Sequence, residues 1–208
     1  MGEIKTGTEG NELPLVEEFF SVQGEGFHSG KAAYFIRLAG CDIGCKWCDT
    51  PFSWDPALHP LVETDSIIER AVNSGTDSVV VTGGEPFMWD LAYLCSGLRQ
   101  NNIRTFVETS GAYPVSGEWN WICLSPKRQK PPLKQVCDAA DELKVIIEDD
   151  DDFAWAEKYS KLVGDECLLY LQPEWSRFGE IVGDIVTYVK KNPAWRISLQ
   201  IHKYMRIP

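Results

Sequence analysis

The sequence from 40 to 50 reads Gly40-Cys41-Asp42-Ile43-Gly44-Cys45-Lys46-Trp47-Cys48-Asp49-Thr50. Its cysteines follow the pattern C-x3-C-x2-C and come directly after a short β-rich run at 33–38. Thiolates at this spacing can wrap a cuboidal iron–sulfur cluster, which ordinarily takes four of them. Because the stretch supplies three, one iron stays open to a small-molecule ligand. We therefore expect a [4Fe–4S] cluster on Cys41, Cys45 and Cys48.

A zinc site is the alternative interpretation of the same cysteines. Three cysteines and a water would form a catalytic zinc site, and a fourth protein ligand would make the site structural. The remaining cysteines lie in or beside predicted helices and strands, where cysteine acts as a small apolar residue. We expect four of them to pack in the core: Cys95, Cys123, Cys137 and Cys167.

Length and composition indicate one ordinary globular domain. The chain has 208 residues, of which 44% are hydrophobic and 25% charged. Its formal net charge of −11 opposes binding to nucleic acid, because such binding rests on many Lys and Arg contacts to phosphate. A small-molecule substrate is therefore the better expectation.

The sequence also predicts a cytoplasmic protein that does not enter the membrane. It has no apolar run approaching the roughly 18 to 20 residues of a membrane span, and its first residues lack a signal-peptide core. Seven cysteines, an odd number without an export signal, favour reduced thiols and metal or cluster binding over disulfides.

Short β-rich runs alternate with segments of helical periodicity. Strands are predicted at 17–21, 33–38, 78–82, 104–108, 120–124, 143–147, 168–171 and 196–201, and helices at 64–73, 91–100, 152–162 and 178–190. Such alternation is typical of right-handed parallel units. The interval 108–120 is too short for a crossover helix, and 125–141 has little periodicity. We expect an α/β fold: an incomplete, TIM-like barrel of mainly parallel strands, with fewer helices than strands.

Chemically suggestive residues follow these strands. They are Cys41, Gly83 to Pro86, Thr109 to Gly111, Ser125 to Lys127 and Gln172 to Glu174. Barrels of this kind carry their sites on the rim at the carboxyl ends of the strands. The concentration of these residues at the ends of the strands favours an enzyme over a scaffold.

The cysteine pattern resembles the signature of the radical S-adenosylmethionine (SAM) superfamily. Thr82-Gly83-Gly84-Glu85-Pro86 resembles the Gly-Gly-Glu-Pro segment of that superfamily. The resemblance implies that the open iron binds SAM and that the reduced cluster cleaves it to a 5′-deoxyadenosyl radical. It also implies cofactor contacts for Trp47, Cys48, Asp49, Gly84, Glu85, Ser125, Pro126, Lys127 and Gln172.

A closer resemblance, to the 7-carboxy-7-deazaguanine synthase family, covers nearly the whole chain. Phe20-Ser21-Val22-Gln23-Gly24-Glu25-Gly26 resembles the Ser-x-Gln-Gly-Glu-Gly loop of that family. Arg37, Cys48-Asp49-Thr50, Gln172-Pro173 and the stretch His202-Lys203 to Ile207-Pro208 match further positions. The chain departs from the family pattern after Gln172 and at 202–206.

This resemblance implies conversion of 6-carboxy-5,6,7,8-tetrahydropterin (the carboxypterin) to 7-carboxy-7-deazaguanine and ammonia, in queuosine biosynthesis. It implies Mg²⁺ at Thr50, a flavodoxin or ferredoxin as electron donor, and a homodimer. The single domain, 1–208, would carry a substrate loop at about 17–30 and a C-terminal tail that reaches the site. Implied substrate contacts are Val22, Gln23, Gly24, Arg37, Thr82 and Pro208.

Two other functions stay open on the sequence. A glycyl-radical activase also carries C-x3-C-x2-C near its N-terminus, although the loop at Gln23 to Gly26 and Pro208 speak against it. A non-enzymatic module holding an iron–sulfur cluster or zinc would show no SAM binding.

Overall fold

The computed structural model describes residues 10–208 and contains one open sheet of nine strands. The strands are β1 (Glu12–Val22), β2 (Ala32–Leu38), β3 (Leu61–Glu63), β4 (Ser78–Gly83), β5 (Arg104–Thr109), β6 (Trp121–Leu124), β7 (Glu142–Ile147), β8 (Leu168–Pro173) and β9 (Trp195–Ile197). Their order in the sheet is β3-β1-β2-β4-β5-β6-β7-β8-β9. From β2 to β9 neighbouring strands pair in parallel, whereas β1 pairs antiparallel with both β2 and β3.

Six α-helices accompany the strands within residues 10–208. They are α1 (Thr64–Asn73), α2 (Ala92–Gln100), α3 (Lys134–Ala139), α4 (Asp151–Ser160), α5 (Phe178–Lys191) and α6 (Ile201–Met205). Helices α2, α3, α4 and α5 pack against β5, β6, β7 and β8 respectively. No helix lies between β5 and β6, as the short interval predicted. The predicted incomplete barrel with fewer helices than strands is therefore confirmed.

The two faces of the sheet have different chemistry because side chains alternate along a strand. The outer face is apolar and packs against the helices, with fully buried residues such as Ile36, Val81 and Leu143. All four cysteines outside the triple are buried. Within residues 10–208 no helix combines the length and apolar character that a membrane crossing requires.

The inner face divides into two layers. Phe35, Val80 and Phe106 lie side by side in the strand register and form an apolar layer with Phe19 and Trp121. Two residues further along, the strands carry polar side chains, because a two-residue step returns to the same face. These are Arg37, Thr82, Glu108, Lys144 and Gln172. The polar layer lies toward the carboxyl ends of the parallel strands.

The end of the chain differs from the prediction. A strand was expected at 196–201, but β9 ends at Ile197, and Ile201 begins helix α6. The backbone leaves the sheet because Ile201 N–H donates to the carbonyl of Gly24, 2.9 Å away, instead of to a strand. Short elements β3 and α3 were also not predicted, since three and six residues carry little periodicity.

Candidate active site

A cavity of about 650 Å³ opens at the carboxyl ends of the parallel strands. Seventeen of the eighteen predicted site residues line it. These are Val22, Gln23, Gly24, Arg37, Cys41, Cys45, Trp47, Cys48, Asp49, Thr50, Thr82, Gly84, Glu85, Ser125, Lys127, Gln172 and Pro208. Pro126 is buried outside the lining, and its carbonyl accepts a hydrogen bond from Trp155 Nε1 at 3.4 Å.

Trp54 contacts both ends of the loop that carries the three cysteines. Cys41 N–H donates to the carbonyl of Trp54 at 3.0 Å, and Cys48 N–H donates to that of Cys45 at 3.2 Å. The indole Nε1 of Trp54 donates to Cys48 Sγ at 3.3 Å. Burial raises the pKa of the Cys41 thiol to about 11 and that of the Cys45 thiol in the same direction.

The contact from Trp54 Nε1 to Cys48 Sγ fits an iron–sulfur cluster. An N–H group that donates to a ligating sulfur helps to set the reduction potential of such a cluster. Within residues 10–208 no three His, Cys, Asp or Glu side chains converge closely enough to hold one metal ion. A cuboidal cluster sets a different requirement, because each thiolate binds its own iron. Cys41, Cys45 and Cys48 would hold the cluster at the cavity wall.

Gly84 brings the backbone of β4 against the cysteine loop. A Cβ on Gly84 would lie 2.3 Å from the carbonyl oxygen of Gly40 and 3.1 Å from Cys41 Cβ. No side chain fits there without displacing backbone. Glu85 N–H also donates to the Gly40 carbonyl, at 2.8 Å. Glycine is therefore required at position 84 by its close approach to the cysteine loop.

The Glu85 carboxylate is occupied by its own chain. It is 1% exposed and accepts hydrogen bonds from Phe87 N–H at 3.0 Å, Thr109 Oγ1 at 2.6 Å and Ser110 N–H at 2.8 Å. Ser110 Oγ also donates to it. These bonds tie the turn after β4 to the turn after β5. The contact of Glu85 with SAM stays a prediction.

Ser125, Lys127 and Trp47 meet beside the cysteine loop. Lys127 Nζ donates to Ser125 Oγ at 2.6 Å and lies 4.8 Å from the centre of the Trp47 ring. Burial lowers the pKa of Lys127. An ammonium that is short of water and has a hydroxyl and an aromatic face as neighbours is suited to bind an anionic group.

Arg37 lies in the wall of the same cavity. Its Nε donates to Glu17 Oε1 at 2.7 Å, and 18% of its side chain is exposed. Its terminal nitrogens form no hydrogen bond to any other residue of 10–208. The guanidinium fork is therefore free to take a carboxylate through two parallel bonds.

Two segments close the cavity together: the N-terminal loop, at about 17–30, and the C-terminal segment, 198–208. Gly26 N–H donates to Ser198 Oγ at 2.9 Å, and Ser21 Oγ donates to the backbone oxygen of Pro208 at 3.0 Å. Gln23 Nε2 donates to Glu108 Oε1 at 2.9 Å. Residues far apart in sequence thus form one wall.

Several residues that line the cavity were not predicted as site residues, among them Glu25, Lys144, Gln200 and His202. Lys144 occupies an inner-face position of the strand predicted at 143–147. The sequence did offer a signal: a charged residue on a predicted strand, two positions from other residues of the inner face, points into the cavity.

Comparison with known proteins decides the family. The radical SAM superfamily model matches residues 35–119. The 7-carboxy-7-deazaguanine synthase of Flavobacterium psychrophilum is 51% identical over 99% of this chain and 98% of its own. The chain belongs to the 7-carboxy-7-deazaguanine synthase family. The Synechocystis synthase is 44% identical over 93% of each chain.

A solved structure agrees with this family. The crystal structure of QueE from Escherichia coli has a TM-score of 0.78 and 30% identity, covering 91% of this chain and 94% of that one. Membership makes the protein a radical SAM enzyme, whose family implies a [4Fe–4S] cluster and SAM. It favours the predicted synthase over the activase and over the binding module.

Two residues at the end of the cysteine loop have distinct surroundings. Thr50 Oγ1 lies 3.8 Å from Cys48 Sγ, and Asp49 forms an ion pair with Lys203 at 3.0 Å. Lys203 belongs to α6, so this pair ties the C-terminal segment to the cysteine loop. The magnesium contact of Thr50 stays a prediction.

Proposed function

We propose that the protein converts 6-carboxy-5,6,7,8-tetrahydropterin to 7-carboxy-7-deazaguanine with loss of ammonia, in the 650 Å³ cavity. One observation carries the proposal. The cysteine loop, the turns after β4 and β6, Arg37 and both chain-end segments all line this one cavity. A cofactor bound at the cysteine loop and a substrate bound at Arg37 would therefore share it.

Substrate and product differ by one molecule of ammonia, so the reaction breaks a carbon–nitrogen bond and contracts the ring. A reduced [4Fe–4S] cluster with bound SAM supplies the 5′-deoxyadenosyl radical that abstracts hydrogen. The chain's own contribution is to bind and orient both molecules and to exclude water from them.

On the substrate side, Arg37 would bind the pterin carboxylate. Glu17 holds Nε, and the terminal nitrogens stay available for a bidentate pair. Thr82 neighbours Arg37 in the strand register and would contact the ring. Val22, Gln23, Gly24 and Pro208 would complete the pterin site.

On the cofactor side, the ammonium of Lys127 with Ser125 would bind the carboxylate of SAM. Gly84 would admit the cofactor against the backbone, and Gln172 would take a further polar group. Trp47, Cys48 and Asp49 would flank the cluster. Pro126 would contribute by fixing the backbone between Ser125 and Lys127.

We also infer Mg²⁺ at Thr50, a flavodoxin or ferredoxin as electron donor, a homodimer and a cytoplasmic location. A threonine oxygen is a hard ligand of the kind that Mg²⁺ takes. Seven free cysteines fit a reducing compartment. If Thr50 binds Mg²⁺, Thr50→Ala lowers the rate and weakens its Mg²⁺ dependence at unchanged cluster content.

The decisive experiment is anaerobic turnover. Reconstituted enzyme receives SAM, a chemical reductant and the carboxypterin, and the products are followed by chromatography and an ammonia assay. We expect 7-carboxy-7-deazaguanine and ammonia in equal amounts, and none without SAM or with Cys48→Ala. Cleavage of SAM without consumption of the carboxypterin would overturn the proposal and favour another radical SAM substrate.

A further inference from the structure

A lysine ammonium is buried in the cavity wall. Lys144 lies on the inner face of β7, and 4% of its side chain is exposed. Its Nζ pairs with Glu25 and lies 3.5 Å from Glu108 Oε2. Removing an ammonium from water is costly unless carboxylates compensate it. The family resemblance assigned no role to this lysine.

Negative groups outnumber positive ones around Lys144. The titratable groups that face it or its carboxylate partners are Glu25, Glu108, Cys123, Lys127, Glu142 and His202. Burial raises the pKa of Glu142. Burial also raises the pKa of Glu25, but the charge and hydrogen bond of Lys144 outweigh it and hold this pKa below its usual value.

The two carboxylates connect Lys144 to both segments that close the cavity. Glu108 Oε1 accepts from Gln23 Nε2 at 2.9 Å, and Gln23 Oε1 accepts from Glu25 N–H at 3.1 Å. Glu25 Oε1 accepts from Gln200 Nε2 at 2.8 Å. One buried cation therefore supports contacts from β5, the N-terminal loop and the C-terminal segment.

Without that cation, two neighbouring carboxylates would lack a buried counter-ion. Like charges at such a site repel, and the pair then retains a proton at higher pH. The repulsion would separate Glu25 from Glu108 and, with Glu25, move the loop that carries Gln23. Strand β5, which holds Glu108, would move less, because its backbone is paired on both sides.

We propose that Lys144 is a positioning residue for the pterin: by neutralising Glu25 and Glu108 it holds the N-terminal loop and the C-terminal segment in their binding arrangement. The inference rests on the proposed function. Lys144 acts through these carboxylates, whereas the cofactor side of the cavity keeps its own anchors at Ser125 and Lys127.

The test measures binding without turnover. The carboxypterin is titrated calorimetrically into reconstituted enzyme that holds SAM and receives no reductant. For Lys144→Met we expect affinity to fall about tenfold or more at pH 8, as expected when a buried pair loses one partner. SAM affinity and cluster absorbance should stay within about twofold, since Lys127 bonds to Ser125 and Lys144 pairs with Glu25 and Glu108. The matched control is Lys134→Met, whose ion-paired lysine is 85% exposed.

Two further readouts separate positioning from simple structural support. The defect of Lys144→Met should shrink at pH about 5.5, because a proton shared by Glu25 and Glu108 relieves their repulsion. In Lys144→Met/Glu25→Gln the excess charge is gone, and affinity should return to within about threefold of wild type at both pH values. If Lys144→Met does not fold, the affinity of this double variant for the carboxypterin tests the role of Lys144 by itself.

Unchanged affinity in Lys144→Met, or a double variant that still binds weakly, would overturn the inference. Wild-type enzyme serves as the reference for the proposed function. If it binds and converts the carboxypterin while Lys144→Met binds equally well, the role of Lys144 alone is wrong. If wild-type enzyme does not bind the carboxypterin, the proposed function is wrong as well.

Discussion

Gly24 and His202 touch where no further atom fits: a Cβ on Gly24 would lie 2.1 Å from His202 Nδ1. The contact joins the N-terminal loop to helix α6, which begins one residue before His202. Glycine is thus required at 24 by packing against the C-terminal segment. The same contact closes the cavity over the expected pterin site.

Gly24→Ala should therefore open this wall. Overpacking of a tight contact costs about 1–3 kcal/mol, so affinity for the carboxypterin should fall about five- to 150-fold. SAM binding should persist, because Gly84 packs against Gly40 and Cys41 and Lys127 bonds to Ser125, so neither depends on this contact. Gly164→Ala is the control, since nothing lies within 4 Å of its Cβ position. If Gly24→Ala binds the carboxypterin as wild type does, the contact does not shape the site.

The three cysteines of the cluster loop should each be indispensable. Replacing Cys41, Cys45 or Cys48 with Ala should abolish the [4Fe–4S] absorbance and turnover together, because the loop has no spare thiolate. Cys95→Ala is the matched control, since Cys95 is 1% exposed and lies in the core on α2. That variant should keep its cluster with a modest loss of stability. An active Cys→Ala variant within the triple would refute the cluster assignment.

The cysteine loop was predictable because its information is local. Cys41 to Cys48 lie within one loop, and the strand before it has a plain β pattern. The buried ion pair was not predictable in this way, because Glu25 and Lys144 are 119 positions apart. Nothing in either neighbourhood indicates that a loop carboxylate and a strand ammonium meet.

The end of the chain shows a different limit of prediction from sequence. The run 196–201 has β character, yet its second half binds the Gly24 carbonyl and turns into α6. Tertiary contacts overrode the local pattern there. The parallel order of β2 to β9 followed from the alternation of strands and helices, whereas the antiparallel addition of β1 and β3 depends on pairings that alternation does not specify.

Stability should depend on pH through His28. Its ring stacks on Phe106 with centroids 4.5 Å apart, and its Nε2 is buried without a hydrogen-bond partner among residues 10–208. Burial, with the charges of Lys31 and Arg104, lowers its pKa to about 4. The unfolded chain takes up this proton near pH 6.5. The free energy of unfolding should therefore decrease as pH falls from about 6.5 to about 4.

His28→Phe should remove that contribution while keeping the aromatic stack. Urea unfolding of both proteins at pH 7 and pH 4.5 checks this. We expect the stability of wild type relative to His28→Phe to be lower at pH 4.5 than at pH 7. A difference that does not change with pH would show that His28 titrates normally in the folded protein.

Arg37 should recognise the carboxylate of the substrate only while Glu17 holds it. The 2.7 Å bond from Nε to Glu17 orients the guanidinium, and Glu17 is itself 45% exposed, so the pair contributes little to stability. Glu17→Ala should therefore leave folding intact but weaken binding of the carboxypterin by about 1–2 kcal/mol, or roughly five- to thirtyfold. Arg37→Lys should weaken it at least as much, because an ammonium cannot form the bidentate pair.

A pterin that lacks the 6-carboxylate tests this prediction. Tetrahydropterin without the 6-carboxylate has nothing for Arg37 to bind, so its affinity should be low in wild type and unchanged in Glu17→Ala and Arg37→Lys. Glu18→Ala is the matched control, because Glu18 is the next residue on β1 and pairs instead with Arg70. Competition binding with the two pterins measures all four proteins. If the variants lose affinity for both ligands equally, Arg37 supports the cavity wall and the carboxylate is bound by another group.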